Sequence, residues 1–247
     1  MNIIIPMAGK GSRFQDAGYV FPKPLIDVNG TTMIEVVIQN LKVSGEHTFI
    51  FVVQKEHFES YDLYNLLDRA TGQKSEIVQI DGITEGAACT VLTALPYINN
   101  DEELIIANSD QFVDIDIDEF IEKARSNVWD GGIITFKARH PKWSYARVDD
   151  HNRVLEVAEK KLISENATVG IYYFKKGKDF VEAAQSMIKK NIRYNNEFYV
   201  CPVFNELILQ DKEVYIHEIT KDKMHGLGTP EDLNSFLDKL NKGAIKI

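Results

Sequence analysis

The chain has 247 residues, 44% of them hydrophobic, which is enough to bury a substantial core in one α/β domain. Its formal charge of −9 argues against a general nucleic-acid or anionic-membrane surface. No run of about 18 apolar residues and no basic leader with an apolar core is present, so no membrane partner is expected and the cytoplasm is the expected compartment. Cys89 and Cys201 match no metal spacing and predict reduced thiols.

The first expected strand runs from Asn2 to Met7. It leads into Met7-Ala8-Gly9-Lys10-Gly11-Ser12-Arg13-Phe14 and then Phe21-Pro22-Lys23-Pro24-Leu25. Gly9 and Gly11 carry no Cβ, so the backbone from Ala8 to Ser12 can approach a ligand and point N–H groups at phosphate oxygens. Arg13 and Lys23 add the positive charge a triphosphate requires, and the two prolines predict a stiff, extended backbone around Lys23. A P-loop is excluded, because no Gly-Lys pair is preceded by glycine at the required spacing and followed by Ser or Thr. The dinucleotide fingerprint fails where Phe14 replaces its third glycine. An ordinary turn would account for Gly-Lys-Gly alone, but not for the added Arg13 and Pro-Lys-Pro.

Helical spacing over Thr32 to Leu41, strands at Thr48 to Val53 and Glu76 to Ile80, and a small-residue helix from Gly86 to Leu95 follow in order. Leu104 to Ala107 is a strand, Ile117 to Ala124 a helix and Gly132 to Phe136 a strand. Continuous runs such as Ile3-Ile4-Ile5 and Leu104-Ile105-Ile106 suit strands covered on both faces. The fold class is therefore α/β, a doubly wound, mostly parallel, Rossmann-like sheet with helices on both faces. Asp110 lies just past the 104–107 strand, at the edge where open α/β sheets bind ligands.

After about residue 138 the pattern changes to short strands, with an Asp/Asn-rich hairpin over Arg147 to Val154. Ala167 to Phe174 reads as a strand. Helices are expected over Asp179 to Lys190, Pro202 to Leu209 and Pro230 to Leu240, the last with Thr229 as N-cap and Pro230 at its first position. With no repeat or long linker, residues 1–247 read as one domain whose second half is a smaller β-rich elaboration.

G-x-G-[ST]-R followed by P-K-P-L resembles the signature of nucleotidyltransferases that join a nucleoside triphosphate to a sugar 1-phosphate or a similar small phosphorylated acceptor. The resemblance continues in order through Glu85-Gly86-Ala87-Ala88, Asn108-Ser109-Asp110, Glu159-Lys160, Val169-Gly170-Ile171-Tyr172 and Gly228-Thr229-Pro230-Glu231, covering nearly the whole chain. It implies a nucleotide-binding half at 1–137 and an acceptor-binding half at 138–247. It also implies an in-line attack on the α-phosphorus without a protein nucleophile. In that scheme Arg13, Lys23 and Lys160 are catalytic, and Asp110 holds Mg²⁺, or Mn²⁺ in its place, against the triphosphate. Ala8, Gly9, Gly11 and Ser12 cradle phosphates, and Gly86 and Ala87 read the base edge. Gln79 and Asp81 are side-chain candidates for the base, as readily explained as an exposed loop pair. Gly170, Asn196 and Glu197 face the acceptor, Lys160 binding its phosphate.

One position departs from the family. Members acting on hexose 1-phosphates carry an Asp two residues before the glycine of Gly-Thr-Pro-Glu as a metal ligand, and Gly226 stands there. The segment from Met224 to Leu233 and Asn108-Ser109-Asp110-Gln111 are similar to capsule-locus members that pair CTP with phosphoglutamine. A sugar-1-phosphate nucleotidyltransferase is the close alternative, and a non-catalytic nucleotide-binding regulator the distant one. Asp110, Lys23 and Lys160 together favour an enzyme, because simple binding needs no acceptor-phosphate lysine. A homo-oligomer is compatible with the sequence.

Overall fold

The computed structural model describes residues 1–72 and 74–247. In chain order its elements are β1 (Asn2–Pro6), α1 (Ser12–Asp16), β2 (Asp27–Val28), β3 (Thr31–Thr32), α2 (Met33–Asn40), β4 (Thr48–Gln54), α3 (Lys55–Ser60), α4 (Leu63–Thr71), β5 (Ser75–Ile80), α5 (Ala87–Leu92), α6 (Leu95–Ile98) and β6 (Leu104–Ala107). They continue through β7 (Gln111–Val113), α7 (Ile117–Ser126), β8 (Gly131–Lys137), β9 (Tyr145–Val148), β10 (Val154–Ala158), β11 (Asn166–Phe174), α8 (Gly177–Lys189), α9 (Val203–Ile208), β12 (Val214–Ile219), β13 (Met224–Gly226) and α10 (Pro230–Asn241).

β5, β4, β1 and β6 lie side by side and parallel. β11 enters antiparallel between β6 and β8, and β12 then runs parallel to β8. The N-terminal end of β11 also pairs with β9, which carries β10 as the expected hairpin. The chain leaves β1 for β4 and β5 on one side and returns to β6 on the other, so the sheet order reverses beside β1 and opens a crevice at the strands' carboxyl ends.

Ile3 and Ile5 face one layer with Phe49, Phe51 and Phe120, whereas Ile4 faces the other with Ile50, Ile106 and Phe180. Burial of both faces explains the unbroken apolar runs. α2 starts on a capping box: Glu35 N donates to Thr32 Oγ1 at 3.4 Å and Thr32 N donates to Glu35 Oε2 at 2.9 Å. Thr229 Oγ1 accepts from Asp232 N at 3.1 Å, the cap expected for α10.

Two expectations are corrected. The helix expected from Gly86 to Leu95 breaks into α5 and α6, whose second residue is Pro96, a residue with no N–H to continue the earlier turn. Lys23 is not extended; Lys23–Leu25 is a 3₁₀ turn, because Leu25 N and Ile26 N donate to the carbonyls of Pro22 and Lys23 at 2.8 and 3.2 Å. As the β-rich elaboration, β9, β10, β11 and β12 of the second half join the main sheet alongside β8. Among the described residues, no helix is long and apolar enough to cross a membrane.

β7 and β13 form a small antiparallel ribbon beside the main sheet, packed by Phe14, Phe112, Leu227, Leu233 and Phe236. His225 is buried there. Its Nδ1 lies 3.2 Å from Lys239 Nζ, which places its proton on Nε2, an atom without a partner among the described residues. Burial, then the charge of Lys239, lowers its pKa to about 4. A histidine whose folded pKa is depressed contributes stability above its unfolded value near 6.5, lost as pH falls toward the folded one. The urea midpoint should therefore drop between about pH 6.5 and 4, by up to about 3 kcal/mol in stability from this group, and His225→Gln should flatten that part of the profile. An identical profile in the variant would remove His225 as the cause.

Candidate active site

β1 delivers the 7–13 loop to the crevice, and the end of β4 fixes it: Gln54 Nε2 donates to the Ala8 carbonyl at 2.7 Å, and Met7 N to Val52 O at 2.9 Å. Gly11 adopts φ +64° ahead of α1, and a Cβ there would sit 3.1 Å from Lys23 Cβ. Glycine thus lets the loop close on the Lys23 turn. The side chain of Phe14 is buried in the ribbon core, which anchors α1 while its neighbours Ser12 and Arg13 stay exposed. Gly9 is open, with nothing within 4 Å of a built Cβ. The first N–H groups of so short a helix have no intrahelical acceptor and suit phosphate oxygens.

Lys23 Nζ meets Asp110 Oδ2 at 2.9 Å, the two side chains retaining 19% and 21% of their accessibility. Burial opposes ionisation of Asp110, but the charge and hydrogen bond of Lys23, with the charge of Arg13, outweigh it and hold the carboxyl below its usual range. The Asp110 carbonyl accepts from Leu227 N at 2.8 Å, which sets Gly228 against its carboxylate. A Cβ on residue 228 would lie 2.8 Å from Asp110 Oδ2, so glycine leaves that oxygen open to Lys23 Nζ. Arg13, Lys23 and Asp110, predicted from separate motifs, are thus brought to one place. Gly226 offers no side chain, and Asp232 lies beside it, 3.5 Å from where its Cβ would be.

A second cluster forms around Lys160, whose backbone adopts φ +49°. Lys160 Nζ donates to Tyr199 Oη at 2.8 Å, and Tyr199 Oη donates to Glu197 Oε2. Burial pushes the neighbouring Glu159 carboxyl up, opposed by a hydrogen bond from Ser144 and by the charge of Lys160. Asn195 and Asn196 both take positive φ in a two-residue turn closed by Tyr194 N to Glu197 O at 3.0 Å and its reciprocal at 2.9 Å. Asn196 therefore shapes the turn that presents Glu197.

Gly86 has φ +122°, and a Cβ on it would fall 2.5 Å from the Phe198 carbonyl oxygen. That contact, with Ala88 N donating to Phe198 O at 2.9 Å, ties the Gly86-Ala87 turn to the Lys160 cluster. Gly170 is buried at φ +85°, and the space above it holds Asn108 and Gln111, whose side-chain atoms would be 2.3 and 2.5 Å from a Cβ. Its glycine is required by those two side chains, so it underlies the Asp110 loop. Gln79 and Asp81 are exposed at the end of edge strand β5. Sequence reasoning missed Gln54, Ser144, Tyr194 and Tyr199; the aromatic and acidic run 194–199 was the available signal for the tyrosines. A cleft of about 500 Å³ between the 138–143 loop and α10 contains none of the predicted site residues. Its Arg139 and Lys142 are paired with Glu165 and Asp232.

Residues 2–242 match the family described as nucleotidyl transferase. The bifunctional protein GlmU of Methanocaldococcus jannaschii is 24% identical over 263 aligned positions that take in 100% of this chain and 57% of that protein. The chain thus spans little more than half the length of this curated relative. The 2-aminoethylphosphonate cytidylyltransferase of Lancefieldella rimae is 48% identical over 59 residues, 23% of this chain and 24% of its own. Among solved structures, a nucleoside-diphosphate-sugar pyrophosphorylase from Vibrio cholerae superposes with a TM-score of 0.82 at 26% identity, covering 96% of this chain and 99% of that one.

Proposed function

This chain belongs to the nucleotidyl transferase family, and from that premise we propose that it transfers a nucleotidyl group from a triphosphate, CTP by preference, to a small phosphorylated acceptor with release of pyrophosphate. The observation that carries the reading is the convergence of Lys23, Arg13 and an ionised Asp110 on a glycine loop at the reversal point of the sheet. An acceptor phosphate oxygen attacks the α-phosphorus, the bond to the bridging oxygen breaks, and pyrophosphate leaves. The protein positions the two substrates and offsets phosphate charge. Lys23, Arg13 and the 8–12 backbone bind the triphosphate, and Lys160 binds the acceptor phosphate.

Asp110 fits Mg²⁺. It is a hard oxygen donor held ionised; Gly228 puts no side chain over Oδ2, and the Lys23 ammonium now on that oxygen marks a place that accepts positive charge. No group of three or more potential ligands forms a cage among the described residues, which suits an ion bound by one carboxylate, waters and substrate phosphates. Mg²⁺, or Mn²⁺ in its place, would supply charge neutralisation on the triphosphate, held by Asp110. Lys23, whose ammonium now pairs with Asp110, is then available to phosphate oxygens.

CTP and an amine-bearing acceptor such as phosphoglutamine are supported by the 59-residue stretch shared with the 2-aminoethylphosphonate enzyme. A sugar 1-phosphate acceptor is the second reading, favoured by the Vibrio cholerae pyrophosphorylase likeness over nearly the full chain. The test is pyrophosphate release that requires triphosphate and phosphorylated acceptor together and is fastest with CTP. Release that ignores the acceptor would overturn the transfer.

A further inference from the structure

Two phenol rings face the ammonium of Lys160, and Tyr199 Oη links it to the Glu197 carboxylate. Its Nζ lies 4.6 Å from the Tyr199 ring centroid and 5.4 Å from that of Tyr194, within reach of each ring's negative face. Glu159, 9% exposed, shares the electrostatic field of Lys160 and Glu197. Arg193 pairs with Glu85 and stacks over the Phe198 ring at 4.2 Å.

When Lys160 turns to an acceptor phosphate, the two rings and the Tyr199–Glu197 pair lose the cation they hold. The ring faces and the solvent-exposed Glu197 carboxylate then favour another cation in that position, and the acceptor can carry it. We propose that the acceptor bears a cationic amine a few atoms from its phosphoryl group, and that Tyr194, Glu197 and Tyr199, with Glu159 behind them, form the ammonium subsite. The inference rests on Lys160 binding the acceptor phosphate, as in the proposed function. A polyol can hydrogen-bond Glu197 through hydroxyls and lay C–H groups on the rings, but it brings no positive charge for the ring faces to attract. A second acidic group would be repelled. The acceptor class is therefore aminoalkyl phosphates or phosphonates in preference to hexose 1-phosphates, and the closed Asn195-Asn196 turn holds the subsite ready for it.

The test uses the whole protein with saturating CTP and Mg²⁺ and compares kcat/KM for 2-aminoethyl phosphate, 2-hydroxyethyl phosphate and glucose 1-phosphate by pyrophosphate release. The amine should exceed its hydroxyl twin by at least about tenfold, the scale of one well-placed charge contact. Glu197→Gln and Tyr199→Phe should each bring that ratio toward one, mainly by raising KM for the amine. A ratio near one in the wild type, or a ratio unmoved by both substitutions, overturns the ammonium subsite and leaves nucleotidyl transfer standing. Absence of turnover with all three acceptors overturns the transfer reading, and this inference with it.

Discussion

Asp110→Asn is expected to lower kcat/KM by at least about a hundredfold while leaving the fold intact, because at least about 3 kcal/mol of charge stabilisation disappears with one negative charge. The substitution is nearly isosteric, and the Asp110 carbonyl still accepts from Leu227 N. The interaction it weakens is the largely buried Lys23 ion pair, at 19% and 21% accessibility, and the replacement amide oxygen still accepts from Lys23 Nζ, which limits the loss to roughly 2 kcal/mol. Activity and stability should therefore separate: melting shifts by several degrees at most, while turnover collapses and the requirement for Mg²⁺ can no longer be met by raising its concentration. Full turnover in the variant would remove Asp110 from the chemistry.

Lys23→Ala should cost a comparable factor, through the nucleotide. Lys23 is the strongest favourable influence on Asp110, so its removal also lets the Asp110 carboxyl move up from its depressed range. A charge-assisted contact to phosphate contributes on the order of 1.5–3 kcal/mol, and losing it together with the ordering of Asp110 should lower kcat/KM by about a hundredfold or more. Calorimetry should find CTP binding weakened. Lys160→Ala is expected to behave differently, raising the acceptor KM by about ten- to a hundredfold with CTP affinity little changed. Nucleotide binding abolished by the Lys160 change, with acceptor binding unaffected, would reverse that division of labour. Destabilisation of the Lys23 variant by more than about 2 kcal/mol would make that residue structural.

β1, β4, β6 and β8 were legible because burial on both faces leaves nearly unbroken apolar runs, as at Ile3-Ile4-Ile5, whereas the short β2, β3 and β7 were not. β12 was not, because Val214-Tyr215-Ile216-His217-Glu218-Ile219 mixes polar and apolar residues, and its place beside β8 is a tertiary pairing. α3 was missed because Lys55-Glu56-His57-Phe58-Glu59-Ser60 carries no apolar stripe; α4 was missed although Leu63, Leu66, Leu67 and Ala70 recur at helical spacing. At the site, the glycine loop and Asp110 announced themselves through residue type and through their place after strands. The roles of Gly86 and Gly170 did not. Gly86 is demanded by the Phe198 backbone and Gly170 by Asn108 and Gln111, contacts distant in sequence. Tyr199 gains its meaning only where the 194–199 turn meets Lys160.

The fate of the α-phosphorus of CTP tests the central claim most directly. With CTP labelled at that atom, Mg²⁺ and a phosphorylated acceptor, the account predicts that the label enters an acceptor conjugate while unlabelled pyrophosphate forms in equal amount, and that neither product forms without acceptor. Label recovered as free CMP at the same rate with and without acceptor, or retained in CDP with orthophosphate released, would contradict it.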